Sequence, residues 1–483
     1  MQYGFVIDQT RCIGCHACTV ACKSENGVPL GDFRTWVKYT EAGAFPEVKR
    51  SFTVLRCNQC SAAPCVEICP VTALHKRPDG IVDVDPRICI GCKACMQACP
   101  YDALYLNDTT GTAQKCHFCA HRMEHGLAPA CTAVCPTEAL IPGDFDDPES
   151  RVSKMKRSQD LRVRKPEAGT GPNVFYVEAA AAGLDPLQTS AAGGYLWANQ
   201  QPGPQLDAQL FEAFEQKAKA RTVYDVAHPP LWGWMVSTYL FTKSQAAGIF
   251  LAGMAAGIPG LGIPMLSLFF LALTAVLLVG DLKRPDRFLS ILLRPQWKSW
   301  LCKGAVILSA YGALLATRLP GWEHPALSLV TAIAATLTAG YTAWLFGQCK
   351  GRVLWMKQGL FGHLIVQAGV AGSGFLLLVH RAEGLRPLLA GSLLLHLVLT
   401  LLEGRLSPPG REAEFARTVR LVSHGPYAWR HWRVGVGIGI LLPFALLCSD
   451  NPALWALAGV GALMGLYVEE DILVRAGQAL PIS

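Results

Sequence analysis

Sixteen of the nineteen cysteines in this chain lie between Cys12 and Cys135, in four runs of four. The runs are Cys12-x2-Cys15-x2-Cys18-x3-Cys22, Cys57-x2-Cys60-x4-Cys65-x3-Cys69, Cys89-x2-Cys92-x2-Cys95-x3-Cys99 and Cys116-x2-Cys119-x11-Cys131-x3-Cys135. Thiols this dense demand either disulfides or metal. The N-terminus, MQYGFVIDQTRC, lacks the basic, apolar and small-residue regions of a signal peptide, and no twin-arginine leader precedes the first run. The cysteines are therefore expected in a reducing compartment, where such spacing favours metal ligation.

The third run, followed by Pro100, has the bacterial ferredoxin spacing. Two-residue spacers let three thiolates surround one face of a [4Fe–4S] cubane, while the fourth cysteine reaches the neighbouring cluster. That fourth cysteine is expected to start a helix, with Pro70, Pro100 and Pro136 fixing the departure angle. Lys23 stands in place of proline after the first run. Structural zinc uses two separated CxxC pairs per metal and does not explain the third cysteine or the Cys-Pro ending. Because the fourth ligand crosses over, runs must pair. PVTALHKRPDGIVDVDPRICIGC, between runs two and three, reads as a helix, a turn at Pro78-Asp79-Gly80 and a strand from Ile81 to Val84. Runs two and three therefore form one unit, and runs one and four the other. The expected sets are Cys12, Cys15, Cys18 with Cys135; Cys116, Cys119, Cys131 with Cys22; Cys57, Cys60, Cys65 with Cys99; and Cys89, Cys92, Cys95 with Cys69. Cys302, Cys349 and Cys448 lie in apolar segments and read as small buried residues.

With GDFDDPESRVSKMKRS and KPEAGTGPNVFYVEA, residues 1–178 resemble the four-cluster ferredoxin (beta) subunits of complex iron–sulfur molybdoenzymes. The resemblance implies four [4Fe–4S] clusters and a separate molybdopterin-containing catalytic subunit docked on this domain. Residues 179–230 read as a linker with one short helix, Leu206 to Arg221.

Charge divides the chain. Residues 1–150 carry 13 Lys+Arg against 17 Asp+Glu, whereas residues 231–483 carry 20 against 11. The basic excess sits in an apolar half, where it reads as loop charge beside a membrane; the basic patch of a nucleic-acid binder is missing. About eight spans are expected at 231–257, 262–281, 300–317, 326–347, 360–380, 385–404, 432–448 and 452–468. Gly248, Gly253, Gly257, Gly435, Gly437 and Gly439 have close-packing spacing, and Trp232, Trp234, Trp297, Trp300 and Trp322 sit near predicted ends. Loops 282–299, 348–359 and 405–431, with Arg433 and Arg475, carry 15 Lys+Arg; the other side carries three, Arg318, Arg381 and Arg386. The positive-inside rule puts the cysteine domain in the cytoplasm, on a multi-pass protein of a bacterial-type inner membrane. The fold class is then an α+β double bis-[4Fe–4S] ferredoxin domain followed by an all-α transmembrane bundle at 231–483.

HPPLWGWMVSTYLF, the segment from Gly280 to Trp300, and VRAGQALP make residues 225–483 similar to the polysulfide-reductase-type (NrfD/PsrC) anchor family. That resemblance implies a haem-free anchor exchanging electrons with menaquinone or ubiquinone. Ionisable residues inside spans are costly and are functional candidates. Lys243, Asp281 and His363 lead the quinone-site candidates, followed by Tyr239, Glu403 and Tyr341; mid-span His396 could serve a proton path. A haem-b anchor would need paired axial histidines; only His363, His380 and His396 lie within or at the ends of the later spans, on two helices, and no haem is expected. Two alternatives share these features: the ferredoxin–anchor subunit of a membrane [NiFe] hydrogenase, and a redox-driven proton-translocating module.

Overall fold

The computed structural model describes residues 1–43, 46–190, 220–321, 324–380 and 382–483. The expected helix Leu206 to Arg221 falls almost entirely outside these residues, as do Trp322 and Arg381. Two compact units result: residues 1–229 with 349–351 and 481–483, and residues 230–348 with 352–480.

The first unit holds two four-stranded sheets and two hairpins. Its strands are β1 (Tyr3–Asp8), β2 (Thr35–Ala42), β3 (Lys49–Arg56), β4 (Leu74–Lys76), β5 (Val82–Val84), β6 (Leu104–Asn107), β7 (Thr112–Lys115), β8 (Leu140–Asp144), β9 (Leu161–Arg162), β10 (Val174–Val177), β11 (Thr189–Ser190) and β12 (Ala220–Tyr224). The sheets are ordered β8-β1-β10-β9 and β11-β12-β2-β3, with β4-β5 and β6-β7 as hairpins. β1 is apolar on both faces. Phe5 and Ile7 pack with Phe118, Leu140 and Val174, while Val6 packs with Ile141 and Val152. A strand buried on both sides reads as a continuous apolar run. The stretch expected as linker contributes β11 and β12 to the second sheet.

Two local expectations are corrected. Cys69 and Cys99 do not start helices; they end the short helices Pro64–Ile68 and Ala94–Ala98, with extended ψ near 117°. Pro70 and Pro100 follow them, and a proline forces the preceding residue out of the helical region. No helix follows Pro70 either: Thr72 adopts φ +57° and the chain enters β4. The first run shows the converse. With Lys23 in place of proline, its helix continues through Cys22 from Ala17 to Asn26 and stops at Gly27, φ +57°.

The second unit is helical. Among the described residues, five helices are long and apolar enough to cross a membrane: Gly262–Gly280, Trp300–Thr317, Pro325–Gln348, Leu360–Val379 and Leu385–Arg405. The other expected spans correspond to the helix Trp234–Ala255, a π-helix Arg430–Leu441 running into Leu442–Leu447, and the helix Pro452–Ala479. The last continues eleven residues beyond the expected end, because its acidic residues find partners on neighbouring helices. Small residues set the packing. A Cβ on Gly248 would strike the Ala368 carbonyl, and one on Gly372 would strike Gly248. Gly439 and Gly465 are likewise backbone to backbone. Trp232 does not sit at an interface: it is 5% exposed and stacks on Trp355 with ring centroids 5.3 Å apart.

Candidate functional site

All four cysteine runs share one backbone device. The residue before the second cysteine is left-handed in each: Gly14 (φ +72°), Gln59 (+44°), Gly91 (+67°) and Phe118 (+60°). This turns successive thiols to one side of the loop. Glycine adopts it freely, but Gln59 and Phe118 incur on the order of 1–3 kcal/mol. Their surroundings hold them there. Gln59 Nε2 donates to Cys116 O at 2.9 Å and its Oε1 accepts from Val82 N at 2.8 Å. Phe118 packs on Phe5 at 4.3 Å between centroids.

The thiols gather into four groups, each drawing on two runs. Cys12 faces Cys15 and Cys135, and Cys18 faces Cys12. Cys22 faces Cys116, Cys119 and Cys131. Cys60 and Cys65 face Cys57 and Cys99. Cys95 faces Cys69, Cys89 and Cys92. The groups also neighbour one another in series, through Cys18 and Cys131, Cys57 and Cys116, and Cys65 and Cys95. Cys12, Cys15, Cys18 and Cys135 line one cavity. Among the described residues no three His, Cys, Asp or Glu side chains converge on a single metal ion; a cubane spreads its four thiolates over four irons instead. Burial pushes the thiol of Cys18 up to about 11, and those of Cys22 and Cys99 up to about 12. Groups so desolvated are thiolates only with cations among them. These sites therefore fit the irons of [4Fe–4S] clusters.

Two buried cations stand between groups, and neither is marked by the sequence motifs. Arg56, 1% exposed, ends β3 and donates from Nη2 to Cys131 Sγ at 3.0 Å. Burial opposes its charge, but the sulfurs of Cys131, Cys116 and Cys18 outweigh that and raise its affinity for the proton. Lys115, at the end of β7, donates to the carbonyls of Val82 and Cys116. Burial opposes its charge too, and Cys57, Cys116 and Cys65 again outweigh it. Asn26 Nδ2 lies 3.7 Å from Cys22 Sγ and 3.9 Å from Cys119 Sγ, which ties the prolonged helix of run one to run four.

In the helical unit the six sequence candidates separate. Lys243 is fully buried and donates to Ala339 O and Thr342 Oγ1, both at 2.8 Å, with the Tyr341 ring 5.2 Å away. Tyr239 lies buried one turn earlier on the same helix. Glu470 faces Lys243 and accepts from Ser244 Oγ at 3.0 Å. His363 and Glu403 belong to a different place, a small cavity of about 20 Å³ that Lys357, Gln367 and Glu469 also line. Lys357 Nζ bonds Glu403 and lies 3.4 Å from His363 Nδ1, while His363 Nε2 lies 3.0 Å from His396 Nδ1. Asp281 follows Gly280 at the end of its helix, half-buried, and lines neither place. The sequence reading missed Lys357, Gln367, His431 and the acidic triplet Glu469-Glu470-Asp471. Three acids inside LYVEEDILV were the available signal. One helical turn sends them to four residues on two neighbouring helices: Glu469 to His431 at 2.9 Å, Glu470 to Ser244, and Asp471 to Arg430 at 2.7 Å and Ser237 at 2.9 Å.

Comparison with known proteins divides the chain at the same place. Residues 48–145 match the 4Fe-4S dicluster domain family, and residues 223–481 match the family described as polysulphide reductase, NrfD. The cysteine region is 46% identical over 194 residues to a tetrathionate reductase subunit of Salmonella typhimurium, covering 39% of this chain and 78% of that protein. It is 40% identical over 187 residues to a polysulfide reductase subunit of Wolinella succinogenes, covering 38% and 98%. It is 36% identical over 227 residues to the arsenate respiratory reductase iron–sulfur subunit of a Shewanella species, covering 37% and 97%.

Proposed function

Because this chain belongs to the polysulphide reductase NrfD family and carries an iron–sulfur dicluster region on the same polypeptide, we propose a route for the electrons it carries. The chain is a multi-pass membrane protein, an electron-transfer and membrane-anchor subunit of an oxidoreductase. In our reading, four [4Fe–4S] clusters are held by Cys12, Cys15, Cys18 and Cys135; by Cys22, Cys116, Cys119 and Cys131; by Cys57, Cys60, Cys65 and Cys99; and by Cys69, Cys89, Cys92 and Cys95. They form one series connecting a molybdopterin-containing catalytic partner with menaquinone or ubiquinone at the anchor. The quinone oxygens are hydrogen-bonded by groups drawn from Lys243, Tyr239 and Tyr341, from His363 and Glu403, or by Asp281. The loop charges support a cytoplasmic cluster domain.

One observation carries this reading: sixteen thiols, twelve of them buried, in four neighbouring groups on the polypeptide that also holds the apolar helices. When bound, the clusters supply one-electron transfer. The protein supplies the thiolates, the dry surroundings, and Arg56 and Lys115 to balance charge.

The test is purification of the intact complex from membranes. About 16 iron and 16 labile sulfide per chain are expected, with molybdenum or tungsten in the partner and cluster reduction on adding a quinol. Iron well below that count contradicts four cubanes. Nickel in the partner replaces the molybdoenzyme assignment with a hydrogenase. Clusters that a quinol cannot reduce and a quinone cannot oxidise remove the quinone step.

A further inference from the structure

We propose that the anchor half contains a proton-uptake site: the imidazole pair His363–His396, entered through Lys357 and Glu403 from the cavity beside them. The pair lies inside the helical unit, apart from Lys243 and its hydrogen bonds to Ala339 and Thr342.

Three observations converge. First, the groups form a continuous chain. Lys357 Nζ touches Glu403 and sits 3.4 Å from His363 Nδ1, and His363 Nε2 sits 3.0 Å from His396 Nδ1. His363 is thus engaged through both ring nitrogens, the arrangement in which an imidazole accepts a proton on one side and releases one on the other. Second, the chain leads inward. Glu403 follows the end of the Leu385–Leu402 helix, and His396 is seven residues back, about 10 Å at the helical rise. Third, the cavity has unmet polar capacity. Gln367, 4% exposed and one turn beyond His363, lines it, and its Oε1 is buried without a hydrogen-bond partner. A polar cavity with an orphaned oxygen is a place for water.

The charged groups that face the pair come from four elements. Lys357 precedes the His363 helix, and Glu403 follows the His396 helix. His431 comes from the π-helix, and Glu469 from the Pro452–Ala479 helix. His431 Nδ1 lies 2.9 Å from Glu469, whose charge also acts on His396. Arg411 and Glu414 nearby are paired with each other. A histidine pair that merely joined two helices would need only its mutual bond. Ionisable groups in a membrane interior are costly to bury, and this pair is connected to the cavity through a lysine and a carboxylate.

The transfer balances with one proton and no electrons. Lys357 Nζ gives a proton to His363 Nδ1, and His363 passes its Nε2 proton to His396 Nδ1. Cavity water then reprotonates Lys357 by way of Glu403. One N–H bond breaks and one forms at His363; the net change is a proton moved from water to His396, opposite Glu469 and Glu403. Its use in quinone chemistry rests on the quinone reading, but the protonation itself does not.

The test uses the full chain with its clusters in lipid nanodiscs, without quinone. Infrared difference spectra are recorded across a pH step, with 15N-histidine labelling to identify imidazole bands. The wild type is expected to show an imidazole protonation that His396→Asn removes. Lys357→Met is expected to slow uptake about 100-fold, the low end of what a positioned proton-transfer group contributes. Unchanged visible absorption of the clusters reports that both variants are assembled. A His396→Asn spectrum that superimposes on the parent overturns the proposal, and so does Lys357→Met taking up protons at the parental rate. Should His396→Asn fail to assemble, the Lys357→Met rate decides alone. Failure of quinone to react in the same preparation would count against the quinone reading and leave this result standing.

Discussion

The cations buried beside the thiols and those buried in the helical unit keep different company. In the cysteine unit, Arg56 and Lys115 are enclosed against sulfur, with no carboxylate as the first partner of either. In the helical unit the buried cations meet acids, carbonyls or imidazoles: Lys357 meets Glu403 and His363, and Lys243 meets Ala339 O, Thr342 and Glu470. The first arrangement fixes positive charge beside groups that hold electrons. The second sets proton donors opposite proton acceptors, so charge there can move by moving a proton. Arg56 and Lys115 supply a permanent field beside the thiols, whereas the helical unit's pairs allow exchange.

Four measurements bear on that comparison, in order of effect. Cys116→Ser should have the largest. Cys116 belongs to the second group and adjoins Cys57 of the third, so its loss should interrupt the series. Iron should fall by about four atoms per chain, with quinol-driven reduction of the outer clusters abolished; full iron content would break the assignment of that ligand. Lys243→Met comes next, because it leaves Glu470 buried without its opposing charge. A loss of about 3 kcal/mol is expected in thermal or denaturant unfolding. Lys243→Met with Glu470→Gln should recover much of it, and an equally unstable double variant would show that the two do not act as a pair.

Arg56→Met sharpens the fixed-field half. Removing a positive charge makes adding an electron harder, so cluster midpoint potentials should fall. A shift of about 60 mV corresponds to a tenfold change for one electron, and redox titration followed by electron paramagnetic resonance would measure it. An unchanged potential would mean that Arg56 only packs against Phe5, whose ring centroid lies 4.0 Å from its guanidinium carbon. Asp32→Asn should have the smallest effect. Burial, with Asp108 nearby, raises the Asp32 carboxyl to about 6 in the folded chain. The folded state then holds a proton that the unfolded chain releases, so this contribution is full at low pH and lost as pH rises from about 4 to about 6. The group is half-exposed, so the expected difference between parent and variant is a few tenths of a kcal/mol. A melting-temperature difference that does not vary across that window would refute it.

Legibility from sequence followed the range of the interactions. The cysteine runs are local, and so are the turn at Gly80, φ +80°, and the prolines that end two helices. Left-handed Gln59 and Phe118 were not legible. Each is held by a partner distant in the chain, Cys116 and Val82 for Gln59 and Phe5 for Phe118. Lys243 and His363 were visible as charges in apolar segments, but nothing in their spacing showed that they serve separate places. Glu469, Glu470 and Asp471 looked like the end of a span, because their partners Ser244, Arg430, Ser237 and His431 lie on other helices.

The sequence by itself determined the chemistry available: sixteen thiols at ferredoxin spacing, an apolar half with basic loops, and a short set of ionisable residues within it. Spacing and composition suffice for that, because they act over a few residues. Only the tertiary structure decided which thiols face each other, which cations lie between them, and which buried acids and bases form connected chains. Those relations are contacts at about 3 Å between residues far apart in the chain, such as Arg56 with Cys131 and His363 with His396. No local pattern encodes them, because they exist only once the backbone has brought the elements together.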